Sequence, residues 1–333
     1  MKKRSTVADV AKAAGVSMMT VSRAMNNKPG VSEELRQRIL ALANEMDYLP
    51  SQIARGLSTR QTCSIGLVVP DITNSFFAYI ARGVEDVAYE HGYNVFLINT
   101  AEDLEREAAA LDSLWQKEID GAILCSLREP IDTIENNIQR FPAVILINRE
   151  LHQPFPNVVT INVNDQRGAQ MAMQHFLDQK RTKIAFLAGP STSVSGMRRM
   201  EGYRQSLKNA NFPFDPQLVE GCDPNIECGR TAALAVLKRR PETDAFLAFN
   251  DLVAIGALQA CHETNRSVPK DIGVIGADDI PMATTIRPQL STLRVNQAHI
   301  GRLSMRTLID IFEGEASPAS YLIEPELVLR DSG

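Results

Sequence analysis

Apolar residues in the first fifty positions recur at helical spacing and are interrupted by polar or glycine residues. Val7, Val10, Ala11 and Ala14 share one face of a helix that Thr6 can cap. Gly15 then supplies a tight turn, because glycine adopts positive φ without a Cβ penalty. Ser17 opens a second short helix, Met18 to Met25, with Val16 and Val21 inward and Met18, Met19, Ser22 and Arg23 outward. Ser32 caps a third, Glu33 to Met46, lined by Leu35, Ile39, Leu42 and Met46. Two short helices around a glycine turn predict a helix-turn-helix, and a third helix gives a unit of ~50 residues enough apolar surface to fold.

From residue 63 the pattern changes to nearly continuous apolar runs separated by amphipathic stretches. The runs are Ile65–Val69, Val95–Ile98, Ala122–Cys125, Val144–Ile147, Ile184–Ala188, Ala245–Phe249 and Ile272–Gly276. Such runs suit strands buried on both faces, and therefore parallel sheets. Ser75 precedes a helix ending near Gly92, and Leu104, Ala108, Leu111 and Trp115 share a face of another, which places Trp115 in the core. Repeats over ~270 residues exceed one core and predict two α/β subdomains, although a TIM barrel has the same elements and stays open on periodicity alone.

With 333 residues, 44% hydrophobic and 23% charged, the chain is globular rather than disordered. No apolar run approaches the ~18 residues of a membrane span. Behind Lys2, Lys3 and Arg4, the residues Ser5, Asp9, Lys12 and Ser17 interrupt any signal-peptide core. Cys63, Cys125, Cys222, Cys228 and Cys261 form no C-x-x-C pair, and His91, His152, His175, His262 and His299 are scattered. A cytoplasmic protein with reduced thiols, no metal cluster and no cofactor is expected. The net charge of −5 conceals an asymmetry: residues 1–60 carry ten Lys/Arg against five Asp/Glu, which leaves −10 on the rest. A basic head on an acidic body reads as a nucleic-acid module joined to something else.

On the outward face of the second helix, Arg23 suits a two-pronged bond to guanine, and exposed methionines can meet thymine methyl groups. The segment Ser51 to Thr62 reads either as a linker or as a helix that forms only on DNA, with Leu57 as a wedge between base steps. The run Thr6-Val-Ala-Asp-Val-Ala-Lys-Ala-Ala-Gly-Val-Ser-Met-Met-Thr-Val-Ser-Arg-Ala-Met-Asn26 resembles the headpiece of the LacI/GalR family of bacterial transcriptional regulators. Pro29-Gly-Val-Ser32 and Tyr48-x-Pro-x-x-x-Ala-Arg-x-Leu57 match that family in order and spacing, with Ser51 replacing a common asparagine. The resemblance implies Met18, Met19 and Arg23 at base-reading positions and Leu57 at the intercalating one. Thr6, Ser17, Thr20, Ser22, Asn26, Ser51, Ala54 and Arg55 join them as DNA contacts.

The resemblance continues through the body and implies two Rossmann-like halves of periplasmic-binding-protein type around a cleft. It divides the chain into a headpiece (1–49), a hinge (50–62) and a body (63–333). The body comprises an N-subdomain (63–162 and 291–320) and a C-subdomain (163–290 and 321–333), with crossings near 162, 290 and 320 that serve as hinges. Ligands of open α/β sheets sit at strand carboxyl ends. Those ends hold Asp71 to Phe77, Asn148-Arg149, Ser191 to Arg199, Asn250-Asp251 and Asp278-Asp279. An aromatic wall (Phe76, Phe77) with acids, amides and a guanidinium suits a small polyhydroxyl molecule. In the family, positions matching Arg199, Asn250 and Asp278 contact the effector, and Ser193, Ser195 and Asp223 fall at further pocket positions. Purine-binding members carry a stacking aromatic where this chain has Asp223, which tilts the reading toward a sugar. Blander roles stay open: Asn250 or Asp251 as a helix cap, Phe77 as core, Arg199 with Asp278 as a plain ion pair, and Arg198 as a solvated neighbour.

These features predict a ligand-responsive repressor that binds a palindromic double-stranded DNA operator as a homodimer, with no membrane partner. An enzyme is disfavoured: Gly189-Pro-Ser-Thr-Ser193 lacks the Gly-Lys-Ser/Thr of a phosphate loop, and no G-x-S-x-G or G-x-G-x-x-G occurs. A transport binding protein would need a signal peptide and no residues 1–60. Val69-Pro-Asp-Ile-Thr-Asn74 and Ala81-Arg-Gly-Val-Glu85 resemble members controlled by a phosphorylated carrier protein, an alternative to a small-molecule effector. The chain stops at Gly333 without a heptad repeat, which speaks for a dimer rather than a coiled-coil tetramer.

Overall fold

The computed structural model describes residues 5–48, 62–315 and 320–333. It divides into a unit ending at Thr62 and a unit from Cys63 to Gly333. In the first, α1 (Val7–Ala14) starts on Thr6, whose side chain accepts the Asp9 N–H while the Asp9 carboxylate accepts the Thr6 N–H. The helix ends at Gly15 with φ +69°. Ser17 and Ser32 likewise cap α2 (Met18–Met25) and α3 (Glu33–Glu45). Val10, Ala11, Ala14, Val21, Ala24, Ile39 and Ala43 form the core, with Leu35, Leu42 and Met46 half-buried against it.

In the second unit the chain runs β1 (Ser64–Val69), α4 (Ser75–Glu90), β2 (Asn94–Asn99), α5 (Leu104–Gln116), β3 (Gly121–Cys125), α6 (Ile131–Ile138), β4 (Val144–Ile147), β5 (Val158–Val163) and α7 (Asp165–Asp178). It continues through β6 (Ile184–Ala188), α8 (Val194–Asn209), β7 (Val219–Gly221), α9 (Ile226–Arg239), β8 (Ala245–Ala248) and α10 (Asp251–Glu263). The last elements are β9 (Gly273–Asp278), α11 (Met282–Thr285), β10 (Ser291–Arg294), α12 (Gln297–Glu313), β11 (Ser320–Ile323) and β12 (Glu326–Val328). Two six-stranded sheets result, ordered β11-β5-β4-β3-β1-β2 and β12-β10-β9-β8-β6-β7, which excludes the barrel. Pairing is parallel except for β12 on β10. Among the described residues, no helix is long and apolar enough to cross a membrane.

Three expectations shift. The crossings expected near 290 and 320 fall inside short strands held by register: Ser291–Arg294 pairs with Ile275–Asp278, and Ser320–Ile323 with Thr160–Val163. The chain therefore leaves the second sheet after Arg294 and the first after Ile323, so β10 belongs to the second half and β11 to the first. Next, β2 is an edge strand rather than one buried on both faces, and its Phe96 and Leu97 are 42% and 43% exposed. Finally, α5 buries Glu107, Ala110, Leu111 and Leu114, leaving Trp115 47% exposed beneath Arg140. The Glu107 carboxylate accepts the backbone N–H groups of Arg128 and Glu129, which turns that face of the helix inward.

Candidate functional site

In the first unit the candidate DNA contacts gather on α2 and at helix ends. Met18 and Met19 are 55% and 65% exposed, a placement that leaves apolar area in water. Ser22 and Arg23 are exposed on the same helix. Thr6 and Ser17 cap helix N-termini, where backbone N–H groups suit phosphate oxygens. Thr20 Oγ1 lies 2.9 Å from Ser17 Oγ, and the Asn26 amide donates to the Ser22 carbonyl at 2.8 Å. Ser51, Ala54, Arg55 and Leu57 lie outside the described residues.

In the second unit, each sheet reverses its strand order once, between β1 and β3 and between β6 and β8. Ligand crevices form at such points in open α/β sheets. A cavity of about 40 Å³ lies there, lined from the first half by Asp71, Phe76, Phe77 and Asn148. Ser193, Ser195, Arg199, Asn250 and Asp278 line it from the second half. The two phenylalanine rings meet edge to face with centroids 5.1 Å apart, so both are partly core and partly wall.

The charges differ between the walls. Arg128 makes a two-pronged bridge to Glu102 at 2.7 and 3.0 Å. Burial pushes the nearby Glu107 carboxyl above the ordinary carboxylate range. Opposite, Arg199, its side chain 12% exposed, lies 5.3 Å over the Phe249 ring and donates to Asp165 at 3.0 and 2.7 Å and to the Phe249 carbonyl. Asp278 stands 4.0 Å away, and fully buried Asp251 accepts the Thr292 hydroxyl and the Ile280 N–H. Three buried carboxylates thus surround one guanidinium. Burial raises Asp278 to about 7, with Arg199 opposing and Asp165 adding to the rise. Burial, then Asp278, likewise raises Asp251. Asp278 holds φ +114°, a region that L residues rarely adopt and that clusters at functional sites.

Nine of the ten residues proposed for the effector thus line one cavity. Asp223 does not; its neighbour Pro224 takes that place, and Asp223 lines a separate cavity with Cys222 and Cys228. Asn250 is the cap of α10, accepting the Val253 N–H at 3.0 Å, whereas Asp251 ties α10 to the strands behind it. Arg199 pairs first with Asp165 rather than Asp278, because α7 packs against α8. Arg198 is not a solvated neighbour: it reaches Asn162 and Glu150 of the first half. Glu102, Ser126, Arg128 and Phe249 line the cavity unforeseen. The first three follow β2 and β3, so the carboxyl-end rule applied to every strand would have found them. His152 is also less isolated than its sequence position suggests, lying 3.5 Å from both Asp132 and Glu135 in an exposed cluster.

Residues 62–330 match periplasmic binding proteins and the sugar binding domain of the LacI family, and residues 6–51 match bacterial regulatory proteins of the lacI family. The chain is 34% identical over 330 residues to a ribose operon repressor of Halalkalibacterium halodurans, covering 98% of this chain and 97% of that one. It is 32% identical over 329 residues to the transcriptional repressor CytR of Escherichia coli, covering 98% and 96%. The lac repressor dimer bound to operator and an anti-inducer matches with a TM-score of 0.88 at 25% identity over 99% of each chain. A complex of the regulator CelR with cellobiose matches at 0.75 and 28%, over 99% and 100%.

Proposed function

The chain belongs to the LacI family of bacterial regulatory proteins, and on that premise we propose that Met18, Met19 and Arg23 read an operator half-site while a compact sugar in the cleft sets operator affinity. The protein is a ligand-responsive, DNA-binding transcriptional regulator that works as a homodimer. Two-fold symmetry matches a palindrome, so each headpiece takes one half-site. The observation that carries the ligand assignment is the single cavity where Phe76 and Phe77 meet Arg128, Arg199, Asn250 and Asp278. A sugar ring stacks on aromatic faces, and its neighbouring hydroxyls take paired bonds from guanidinium and carboxylate groups. Relatives described as a ribose operon repressor and a cellobiose complex support that class. The cavity is read as regulatory: a ligand that favours one closure of the halves shifts operator affinity by ~1–3 kcal/mol, roughly 5–150-fold.

A thermal-shift screen of the full chain against sugars, sugar phosphates, nucleosides and purines tests this. A ligand at ~100 times its Kd adds about 2.7 kcal/mol. A sugar hit that Arg199→Ala or Asp278→Ala abolishes places it in the cleft. Hits confined to nucleosides or purines would replace the sugar reading, and no hit with DNA-competent protein would replace the small molecule by a protein partner. On DNA, Arg23→Ala should cost ~1–3 kcal/mol on the cognate site and leave nonspecific affinity unchanged. Equal loss on both would make Arg23 a phosphate contact.

A further inference from the structure

A recess of about 20 Å³ adjoins the sugar cavity and shares Phe76, Asn148, Arg199 and Asp278 with it. Beyond those four, its walls come from both halves. Val163 and Val295 belong to the core of the first sheet, Ala277 and Leu293 to that of the second. Seven residues line the recess and not the cavity, and Asp165 is the one polar side chain among them. Asp165 opens α7 and is 2% exposed. Its two oxygens are used unequally. Oδ1 accepts both Arg199 Nε, at 3.0 Å, and Arg199 Nη2, at 2.7 Å, while Arg199 Nη1 turns to the Phe249 carbonyl. Oδ2 is buried and accepts no hydrogen bond among the described residues. A carboxylate oxygen shut away from water without a donor is a costly state, which a ligand hydroxyl on it relieves.

We propose that Asp165 is a specificity-determining residue for the ligand of the cleft, and that the recess takes the exocyclic hydroxymethyl group of a sugar. The assignment rests on the sugar reading of the cavity. The methylene lies against the apolar walls and the hydroxyl donates to Asp165 Oδ2. Size fits this group: the volume exceeds the ~10–15 Å³ that one water-sized group needs and is too small for a second sugar ring. Chemistry fits it too. One acceptor at the end of an apolar recess matches a group with one donor on a hydrocarbon stem. A lone water calls for two to four polar partners, and past the shared mouth the recess offers Asp165 alone. A site built around a ligand hydroxyl also rejects the analogue that lacks it, because the buried oxygen is then left unpaired. Asp165 thereby sorts sugars by a group that the ring-binding residues do not read.

The test is calorimetry on the full-length protein, buffered well above the Asp278 midpoint of about 7, so that this neighbour has no proton to share. Each sugar is paired with the analogue lacking only the exocyclic hydroxyl: D-glucose with 6-deoxy-D-glucose, D-galactose with D-fucose, D-ribose with 5-deoxy-D-ribose. In the pair that binds, the deoxy sugar should be weaker by roughly 10–150-fold, the range for a hydrogen bond to a charged group. Asp165→Asn should narrow that ratio at least about fivefold, because its oxygen stays on Arg199 and its NH2 takes the place of Oδ2. A melting curve checks folding. If Asp165→Asn does not fold, Val163→Ile, which adds a methyl group to the recess wall, should narrow the ratio instead. Equal affinities within the binding pair would overturn the role of Asp165 and leave the sugar reading standing. So would a ratio that survives in the variants, or binding confined to D-xylose or L-arabinose, which carry no hydroxymethyl group as pyranoses. Binding by no sugar at all, here or in the wider screen, would overturn both the sugar reading and the role of Asp165.

Discussion

The two halves of the second unit repeat one strand order, β2-β1-β3-β4-β5 and β7-β6-β8-β9-β10, yet their cavity walls are charged differently. In the first half Arg128 is already matched by Glu102, and its backbone N–H is held by Glu107. In the second, one guanidinium faces Asp165, Asp278 and, at longer range, Asp251. A satisfied pair gains little when hydroxyl donors arrive. Buried acids short of partners gain much more, because a buried charge without hydrogen bonds is the costly state. One scaffold therefore presents a rigid wall and a responsive wall to the same ligand.

The strongest way to break this comparison is Arg199→Ala. It strips the counter-charge from buried carboxylates and should cost the second unit ~3–5 kcal/mol, with sugar-dependent stabilisation lost. Arg128→Ala leaves Glu102, whose side chain is 23% exposed, able to reach water, so its loss should be clearly smaller. Denaturant melts of both variants decide the matter, and equal losses would dissolve the contrast between the walls.

Acid–base behaviour sharpens the comparison at a smaller scale. Asp278 titrates at about 7 when folded, well above the ordinary carboxylate value of the unfolded chain. The folded state thus holds this proton more tightly. The stabilising contribution is complete in acid below the ordinary carboxylate range and is lost as pH rises through about 7. A sugar that donates hydroxyls to the ionised carboxylate reverses the preference. Its affinity should climb by up to about tenfold per pH unit below neutrality, level off above it, and become flat in Asp278→Asn. Calorimetry in buffers of different ionisation heat counts the released proton, and a flat wild-type profile would remove Asp278 from the responsive wall.

How much of this was legible follows from how local each signal is. In the first unit every cap and apolar stripe lies within three or four positions, as with Thr6 and Asp9, so the helices could be read almost to the residue. The strand ends after β1, β4, β6, β8 and β9 are also local, with apolar runs closing on acids and amides. The responsive wall is not local. Asp165 precedes Arg199 by 34 positions, and they meet only because α7 packs against α8. Glu102 and Arg128 pair across 26 positions with nothing in either stretch to announce it. Arg198 and Arg199 look interchangeable in sequence, but adjacent helical positions point about 100° apart, so one faces the cavity and the other the first half.

That divergence carries the smallest expected effect. Arg198 donates to Asn162 Oδ1 at 3.1 Å and to Glu150 at 2.5 Å, joining α8 to the first half where β5 ends. The Glu150 side chain is 73% exposed, so its bridge is screened and worth ~0–1 kcal/mol. Asn162 is buried; its amide N–H still donates to the Arg149 carbonyl when Arg198 is removed, but its Oδ1 loses the guanidinium donor. Arg198→Ala should therefore cost about 1–2 kcal/mol, most of it from the Asn162 Oδ1 and well short of the Arg199→Ala loss. Its effect should appear in closure, as sugar dissociation faster by up to about fivefold, the equivalent of ~1 kcal/mol, with the association rate unchanged in stopped flow. An unchanged dissociation rate would mean that the seam contributes nothing to holding the halves together. Closure would then rest on the sugar that bridges the two walls, because Arg199 and its partners Asp165 and Asp278 all belong to the second half.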